Sequence, residues 1–229
     1  MQYLNEVVFG YYPYFALTVF LLGSLIRFDR DQYTWRSGSS QLLRNRQMMV
    51  GSNLFHIGIL SLFGGHFVGL LTPIFIFEAM GITHAQKQML AVGAGGVFGI
   101  MCFIGLTMLL HRRLTDPRIR ATSSSMDIFI QVMLWVQLVL GLFTLPLSMG
   151  HAEGEMMVRF MNWAQHIVTF RAGAASYILD VPVLFKAHLV IGMTMFLIFP
   201  FTRLVHVWSA PVGYLVRRYQ VVRTRRKIG

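Results

Sequence analysis

Charged side chains are scarce in this chain of 229 residues. They make up 13% of it, whereas hydrophobic residues make up 55%; soluble domains carry about 25% and about 45–50%, respectively. This shortage excludes an ordinary soluble enzyme and indicates a polytopic membrane protein. Acidic residues are the rarest charged group, with nine against twenty Lys and Arg, so the formal net charge is +11. Because the basic residues cluster between apolar segments, membrane topology explains them, and nucleic-acid binding is not expected.

Cysteine and proline are also few, and the N-terminal stretch before Arg27 contains no Lys or Arg. The single cysteine, Cys102, permits no internal disulfide. The first Lys or Arg is Arg27, and a secretory signal peptide needs positive charge before its apolar run, so none is expected. Pro13 falls in the first turns of one apolar run, where its missing N–H is tolerated. Pro200 lies inside another run and should kink it.

Long apolar runs are what the sequence has in abundance. Five stretches approach the ~20 apolar residues that cross a bilayer, over 5–27, 50–72, 88–110, 126–148 and 183–208. They predict an all-α membrane protein, a single domain over 1–229 with five transmembrane helices in a bundle. Residues 209–229 form a basic tail, expected in the cytoplasm together with the C-terminus.

The orientation of the spans follows from the segments between them. The side that holds the tail carries 15 basic residues: Arg27, Arg30, Arg36, Arg44, Arg46, Arg112, Arg113, Arg118, Arg120, Arg217, Arg218, Arg223, Arg225, Arg226 and Lys227. The other side has four, which are Lys87, Arg159, Arg171 and Lys186. The positive-inside rule therefore predicts that the N-terminus is outside.

The outer segment 150–182 is longer than a plain turn. Apolar residues recur in it at three- and four-residue steps: Met156, Met157, Phe160, Met161, Ala164, Ile167 and Val168. This pattern predicts an amphipathic helix along the outer membrane interface. An ordinary surface helix packed on the bundle fits the pattern equally well, and the two interpretations are compatible.

Four histidines lie inside apolar spans: His56 and His66 in the second, and His188 and His206 in the fifth. A lone imidazole there is usually hydrogen-bonded to a neighbouring helix, but four indicate a functional site. Because the two spans run in opposite directions, His66 pairs with His188 near the outer face and His56 with His206 near the inner face. The distances along the two helices agree poorly. His56 and His66 are ten residues apart, which is a rise of about 15 Å in a helix, whereas His188 and His206 are eighteen apart, a rise of about 27 Å.

Haem iron suits such pairs better than zinc does. Zinc needs about four converging ligands, which histidines ten and eighteen residues apart do not supply, whereas haem needs only two axial imidazoles. The sequence has no Cys-x-x-Cys-His motif, so two non-covalent b-type haems are expected. Two imidazoles leave no open position on the iron, which favours electron transfer.

Small and basic residues flank the histidines. Gly58, Gly64, Gly65 and Gly69 would admit a flat macrocycle, or else allow close helix packing. Arg203 and Arg112 are the inner candidates for binding haem propionates, and Lys87, Arg171 and Lys186 are available outside. The alternative for each of these cations is a purely topological role. His84, His111, His151 and His166 are expected in loops or at interfaces.

These residues also carry a family resemblance, in Gln32–Arg36, Ser52–Leu60, Gly64–Phe67, Ala187–Thr194 and Phe199–Ser209. The chain resembles, over its whole length, the gamma subunit of membrane-bound respiratory nitrate reductase, a cytochrome b. The resemblance implies a multi-pass protein of the bacterial inner membrane that oxidises quinol, menaquinol or ubiquinol, near an outer haem held by His66 and His188. Electrons would pass through the inner haem of His56 and His206 to an iron–sulfur beta subunit and a molybdenum-containing alpha subunit.

The resemblance also implies a quinol-binding lysine near the start of the third span, which is Lys87 here, beside His66 and Gly69. Two other functions remain open. One is a di-haem anchor of a different quinone-linked oxidoreductase, such as a hydrogenase or a formate dehydrogenase. The other is a transporter that relays protons along histidines, although the chain lacks the repeats and paired broken helices typical of transporters.

Overall fold

The computed structural model describes residues 2–35, 43, 45–150, 154–209 and 216. Over these ranges the chain is helical, and five helices are long and apolar enough to cross a membrane. This confirms the predicted all-α class with five spans. The basic tail, apart from Ser209 and Val216, and His151 lie outside the described residues. The main helices are α1 Tyr12–Arg30, α2 Asn45–Leu71, α3 His84–Thr115, α4 Ser125–Met149, α5 Glu155–Val168 and α6 Val183–Ile198.

The spanning helices pack in an order that differs from the chain order. Helix α2 packs on α3, α3 on α4, α4 on α6, and α6 on α1. Within the described ranges, α2 and α6 are not among the extensively packed pairs. The two helices that carry the four candidate histidines are therefore separated, and α3 and α4 fix their distance.

Pro13 changes the helix in front of it. It has no N–H for the carbonyl of Phe9, four residues earlier, and the chain forms a π-helical turn over Val7–Tyr11 just before α1. The freed Phe9 carbonyl accepts a hydrogen bond from the Trp163 indole N–H at 2.9 Å. Trp163 belongs to α5, so the proline links the first span to the outer helix.

The last span is shorter than the expected 183–208. Helix α6 ends at Ile198, and two 3-10 turns, Phe199–Phe201 and Arg203–Ser209, follow with Thr202 extended between them. Pro200 causes the break, because it lacks a donor and its ring obstructs a continuing α-helix. Arg27 at the end of α1 donates to the carbonyls of Pro200 and Thr202, at 2.5 and 2.9 Å. His206 therefore lies on a separate turn, and the eighteen-residue helical rise does not apply to it.

Helix α5 packs on the bundle. Its buried residues are Met156, Met161, Trp163, Ala164 and Ile167. All of these except Met161 join residues of the N-terminal segment and α6 in one apolar cluster. Of the apolar residues predicted to form one face, Met156, Met161, Ala164 and Ile167 are buried, whereas Val168 is exposed.

Glycines bring α2 and α3 into close contact. A Cβ added at Gly105 would lie 2.7 Å from the Gly51 carbonyl oxygen and would also strike the Phe55 backbone. Gly58 is equally tight, since a Cβ there would lie 2.6 Å from the Cβ of Cys102. These glycines are packing residues, because backbone cannot move aside as a flexible side chain can.

We expect Gly105→Ala to lower the free energy of unfolding by about 1–3 kcal/mol, the usual range for overpacking. Gly93→Ala on the same helix is the matched control, since a Cβ there meets no atom within 4 Å. Denaturation of the detergent-solubilised chains, followed by circular dichroism, measures both effects. Equal stability of the two variants would contradict the close crossing of α2 and α3.

Candidate functional site

His66 and His188 face each other across the gap between α2 and α6. Their ring centroids are 6.3 Å apart and the rings are inclined by 33°. Metal–imidazole bonds are about 2.0–2.1 Å long for zinc, and two on opposite sides of one ion place the ring centres about 6 Å apart. The structure therefore brings together the outer pair that the sequence predicts, at a separation suited to one bound metal.

The four span histidines share one hydrogen-bonding pattern. In each, Nδ1 contacts a backbone carbonyl oxygen: Leu62 for His66 at 2.7 Å, Gln137 for His188 at 3.2 Å, Ser52 for His56 at 2.7 Å and Arg203 for His206 at 2.6 Å. A proton on Nδ1 satisfies these contacts and leaves the lone pair on Nε2. Metal-binding histidines use this arrangement, because the carbonyl fixes the tautomer and orients the ring.

Gln137 holds His188 from α4, and the sequence analysis did not single it out. Its side-chain amide donates to the His188 backbone carbonyl at 3.0 Å, and its backbone carbonyl accepts from His188 Nδ1 at 3.2 Å. The same amide nitrogen lies 3.4 Å from His188 Nε2. A Cβ at Gly141, one turn later, would lie 3.0 Å from Cε1 of His188. The signal that points to Gln137 is its polar side chain in the middle of an apolar span.

The glycines beside the histidines fall into two groups. Gly58 serves helix packing, as described above. At Gly64, Gly65 and Gly69 an added Cβ would meet no described atom within 4 Å. Close packing against a neighbouring helix therefore does not explain these three, and the alternative interpretation, a flat group lying against α2, fits them.

The inner pair is arranged differently. His56 is exposed on α2, where Ser52 Oγ lies 3.1 Å from its Nδ1, and His206 lies on the 3-10 turn after α6. The described residues show no ring contact between these two histidines. The turn that carries His206 is anchored by Arg27 and by Trp35, whose indole N–H donates to Ser209 Oγ at 2.6 Å.

Lys87 is buried on the first turn of α3, with 5% of its surface exposed. Its Nζ donates to the Gly69 carbonyl at 3.0 Å, lies 2.8 Å from Met161 Sδ, and sits 3.8 Å from the centre of the Phe77 ring. Thr83 and Gln86 form a capping box that starts α3 at His84, four residues before the predicted start. The structure thus joins Lys87 and Gly69, which the sequence analysis assigned to one site.

The basic residues proposed for propionates already have contacts. Arg112 is almost fully buried and donates to the Leu43 carbonyl at 2.5 Å. Arg203 lies 3.7 Å from Asp127, at the start of α4, and Lys186 donates to the Leu179 carbonyl at 2.7 Å. Arg112 therefore has a structural role in any case, whereas Arg203 is partly exposed beside His206.

Five apolar helices, a facing histidine pair and a buried lysine define a membrane protein with a polar site between its helices. The model of the nitrate reductase gamma subunit family matches residues 5–225. The gamma chain of respiratory nitrate reductase 1 of Escherichia coli (strain K12) is 51% identical over 225 residues, which cover 98% of this chain and all of that one. The gamma chain of its respiratory nitrate reductase 2 is 52% identical over 226 residues, covering 99% and 100%.

A third relative is more distant. The nitrate reductase gamma chain of Bacillus subtilis (strain 168) is 40% identical over 221 residues, with 96% and 99% of the two chains covered. The chain therefore belongs to the nitrate reductase gamma subunit family.

Proposed function

We propose that this chain is the quinol-oxidising cytochrome b subunit of a respiratory nitrate reductase in the bacterial inner membrane. The observation that carries the proposal is the pair His66 and His188, whose rings face each other at 6.3 Å between two helices that are otherwise apart. Family membership supports the reductase, and the geometry supports a metal cofactor between α2 and α6.

The residues present fit two b-type haems. His66 and His188 would bind the outer iron, and His56 and His206 the inner iron, each through Nε2. Gly64, Gly65 and Gly69 would lie against the outer macrocycle, and Arg203 is the best-placed cation for an inner propionate. When bound, the haems would supply one-electron transfer, and the histidines would hold them throughout, so little of the protein would have to move.

Lys87 would bind and orient quinol beside the outer pair. Its ammonium group is buried, and its bond to Gly69 links it to the α2 segment that carries His66. A charged donor in an apolar site gives a strong, directional hydrogen bond to a quinol oxygen. We further propose that the two quinol protons leave on the outer side, which is the side whose connecting segments carry few basic residues.

The predicted inner side would face the partner subunits. Electrons delivered there would pass to an iron–sulfur beta subunit and then to a molybdenum-containing alpha subunit, which carries out nitrate reduction. Moving electrons inward against an inside-negative potential costs about 2.3 kcal/mol per charge per 100 mV. Releasing protons outside while electrons move inward conserves part of the redox energy as a proton gradient.

Optical spectroscopy of the purified, dithionite-reduced complex tests the cofactor assignment. We expect b-type absorption and two haems per chain by pyridine haemochrome assay, since two histidine pairs are available. Co-purification of a molybdenum-containing subunit and an iron–sulfur subunit separates a nitrate reductase from the anchor of a hydrogenase or a formate dehydrogenase. A folded but colourless complex would refute the cytochrome assignment.

A further inference from the structure

A histidine and a glutamate are in hydrogen-bond contact one helical turn from Lys87. Nε2 of His84, the first residue of α3, is 3.3 Å from Oε1 of Glu78, and both side chains are partly exposed. His84 and Lys87 are three residues apart, so they are neighbours on one face of the helix. Glu78 follows Phe77, whose ring lies beneath the Lys87 ammonium. Two adjacent contacts therefore join the short helix Ile74–Ala79 to α3.

The turn between the two helices holds this geometry. The Ile82 N–H donates to the Phe77 carbonyl and the Gly81 N–H to the Glu78 carbonyl, both at 2.9 Å, with Gly81 in the left-handed region at φ +73°. This is a Schellman motif, which ends the short helix, and the capping box at Thr83 begins the next helix two residues later. Because both ends of the turn are capped, Glu78 and His84 are held opposite each other.

The pair also borders open space. A cleft of about 540 Å³ is lined by Glu78, Gly81, Ile82, Thr83, His84 and Ala85. Lys87, one turn along α3, is buried, whereas the side chains of Glu78 and His84 are partly exposed at this cleft. Among the described charged groups, Glu78 faces His84 from the short helix, and Lys87 lies one turn further along α3. The backbone of Gly154 packs against His84 from the loop before α5.

We infer that Glu78 and His84 form the exit relay for the protons of quinol oxidation, an inference that rests on the proposed function. On oxidation, quinol would break two O–H bonds and give up two electrons, one at a time, to the cofactor that His66 and His188 are proposed to hold. Each proton passes in turn to Nδ1 of His84, whose Nε2–H donates to the Glu78 carboxylate. The carboxylate stabilises the imidazolium, which then releases a proton into the cleft.

Variants of the whole complex test the relay. His84→Gln removes the proton acceptor, and Glu78→Gln keeps the size and a hydrogen-bond acceptor but removes the charge. His111→Gln is the matched control, because His111 is an exposed histidine at the other end of the same helix. Haem content and the dithionite-reduced spectrum monitor folding, and stopped-flow mixing with a soluble quinol measures the rate of haem reduction.

At saturating quinol we expect His84→Gln to slow haem reduction at least tenfold, since positioned acid–base groups contribute about 10²–10⁴-fold. The KM for quinol should stay unchanged, and added imidazole should restore the rate. Glu78→Gln should slow the reaction less, and the double variant should be no slower than His84→Gln, because the two residues act on one proton.

Several results would overturn the relay. They are additive losses in the double variant, a rise in KM alone, a slowed rate that imidazole does not restore, or wild-type rates in both single variants. If quinol fails to reduce the haems of the wild-type complex, the proposed function itself fails, and the relay falls with it. If quinol reduces the haems of the wild-type complex but the relay variants give one of the contrary results above, the proposed function stands without the relay.

Discussion

Replacing either His66 or His188 by alanine should remove the outer haem and leave the inner one. The two rings face each other at 6.3 Å, so each variant deletes one of the two histidines proposed to hold the outer haem. Loss of a residue that merely orients a ligand costs about 10–100-fold in metal affinity or activity, and loss of the ligand itself should cost more. We therefore expect one haem per chain by pyridine haemochrome assay and a fall in quinol oxidation of more than about 100-fold.

His166→Ala is the control for this experiment. Its Nδ1 also contacts a backbone carbonyl, that of Asn162 at 2.8 Å, but its Nε2 lies 3.5 Å from the Tyr177 hydroxyl. His166 belongs to α5 and not to the elements that carry the two proposed histidine pairs, so its variant should keep both haems. Selective loss of the inner haem from the His66 or His188 variant would show that the pairing is wrong.

Replacing Lys87 by methionine should abolish most quinol oxidation while keeping both haems. Methionine preserves an unbranched apolar side chain but removes the ammonium that donates to Gly69 and lies over Phe77. A hydrogen bond to a charged group contributes about 1.5–3 kcal/mol, and each 1.36 kcal/mol is tenfold in rate. We expect kcat/KM for quinol to fall about 10- to 100-fold, as measured with a soluble quinol and the purified complex.

Arg159→Met serves as the matched control. Arg159 is also a cation on the predicted outer side, but it pairs with Glu155 at 2.7 Å on the exposed part of α5. Its loss should leave quinol oxidation unchanged. Wild-type kcat/KM in Lys87→Met would remove this residue from the proposed quinol site, and loss of haem from it would make Lys87 a structural residue instead.

Several contacts of the site cannot be predicted from the local sequence pattern. Gln137 contacts His188, 51 residues further along the chain, and Met161 of α5 contacts Lys87. Arg27 binds the carbonyls freed at the end of α6. Each of these contacts depends on how the helices are rotated about their axes, which hydropathy does not specify.

The break after α6 also could not be predicted from the local sequence. Pro200 inside an apolar run predicts a disturbance of the helix, and a kinked helix that continues to residue 208 fits the sequence as well as a complete break does. The outcome depends on whether freed carbonyls find donors. Pro200 interrupts the helix, and Arg27, from another helix, supplies donors to the carbonyls of Pro200 and Thr202. Tertiary contacts therefore stabilise a complete break and the turn that carries His206.

The sequence by itself determined the number of membrane spans, because transfer of apolar side chains out of water depends on composition and length alone. It also placed His66 opposite His188, since in two antiparallel helices the order along the chain sets which histidines lie near the same face of the membrane. Only the tertiary structure decided which glycines pack helices together and which border the histidine site. It also decided where the last helix ends and what surrounds Lys87, because these depend on side chains meeting across helices that are distant in the chain.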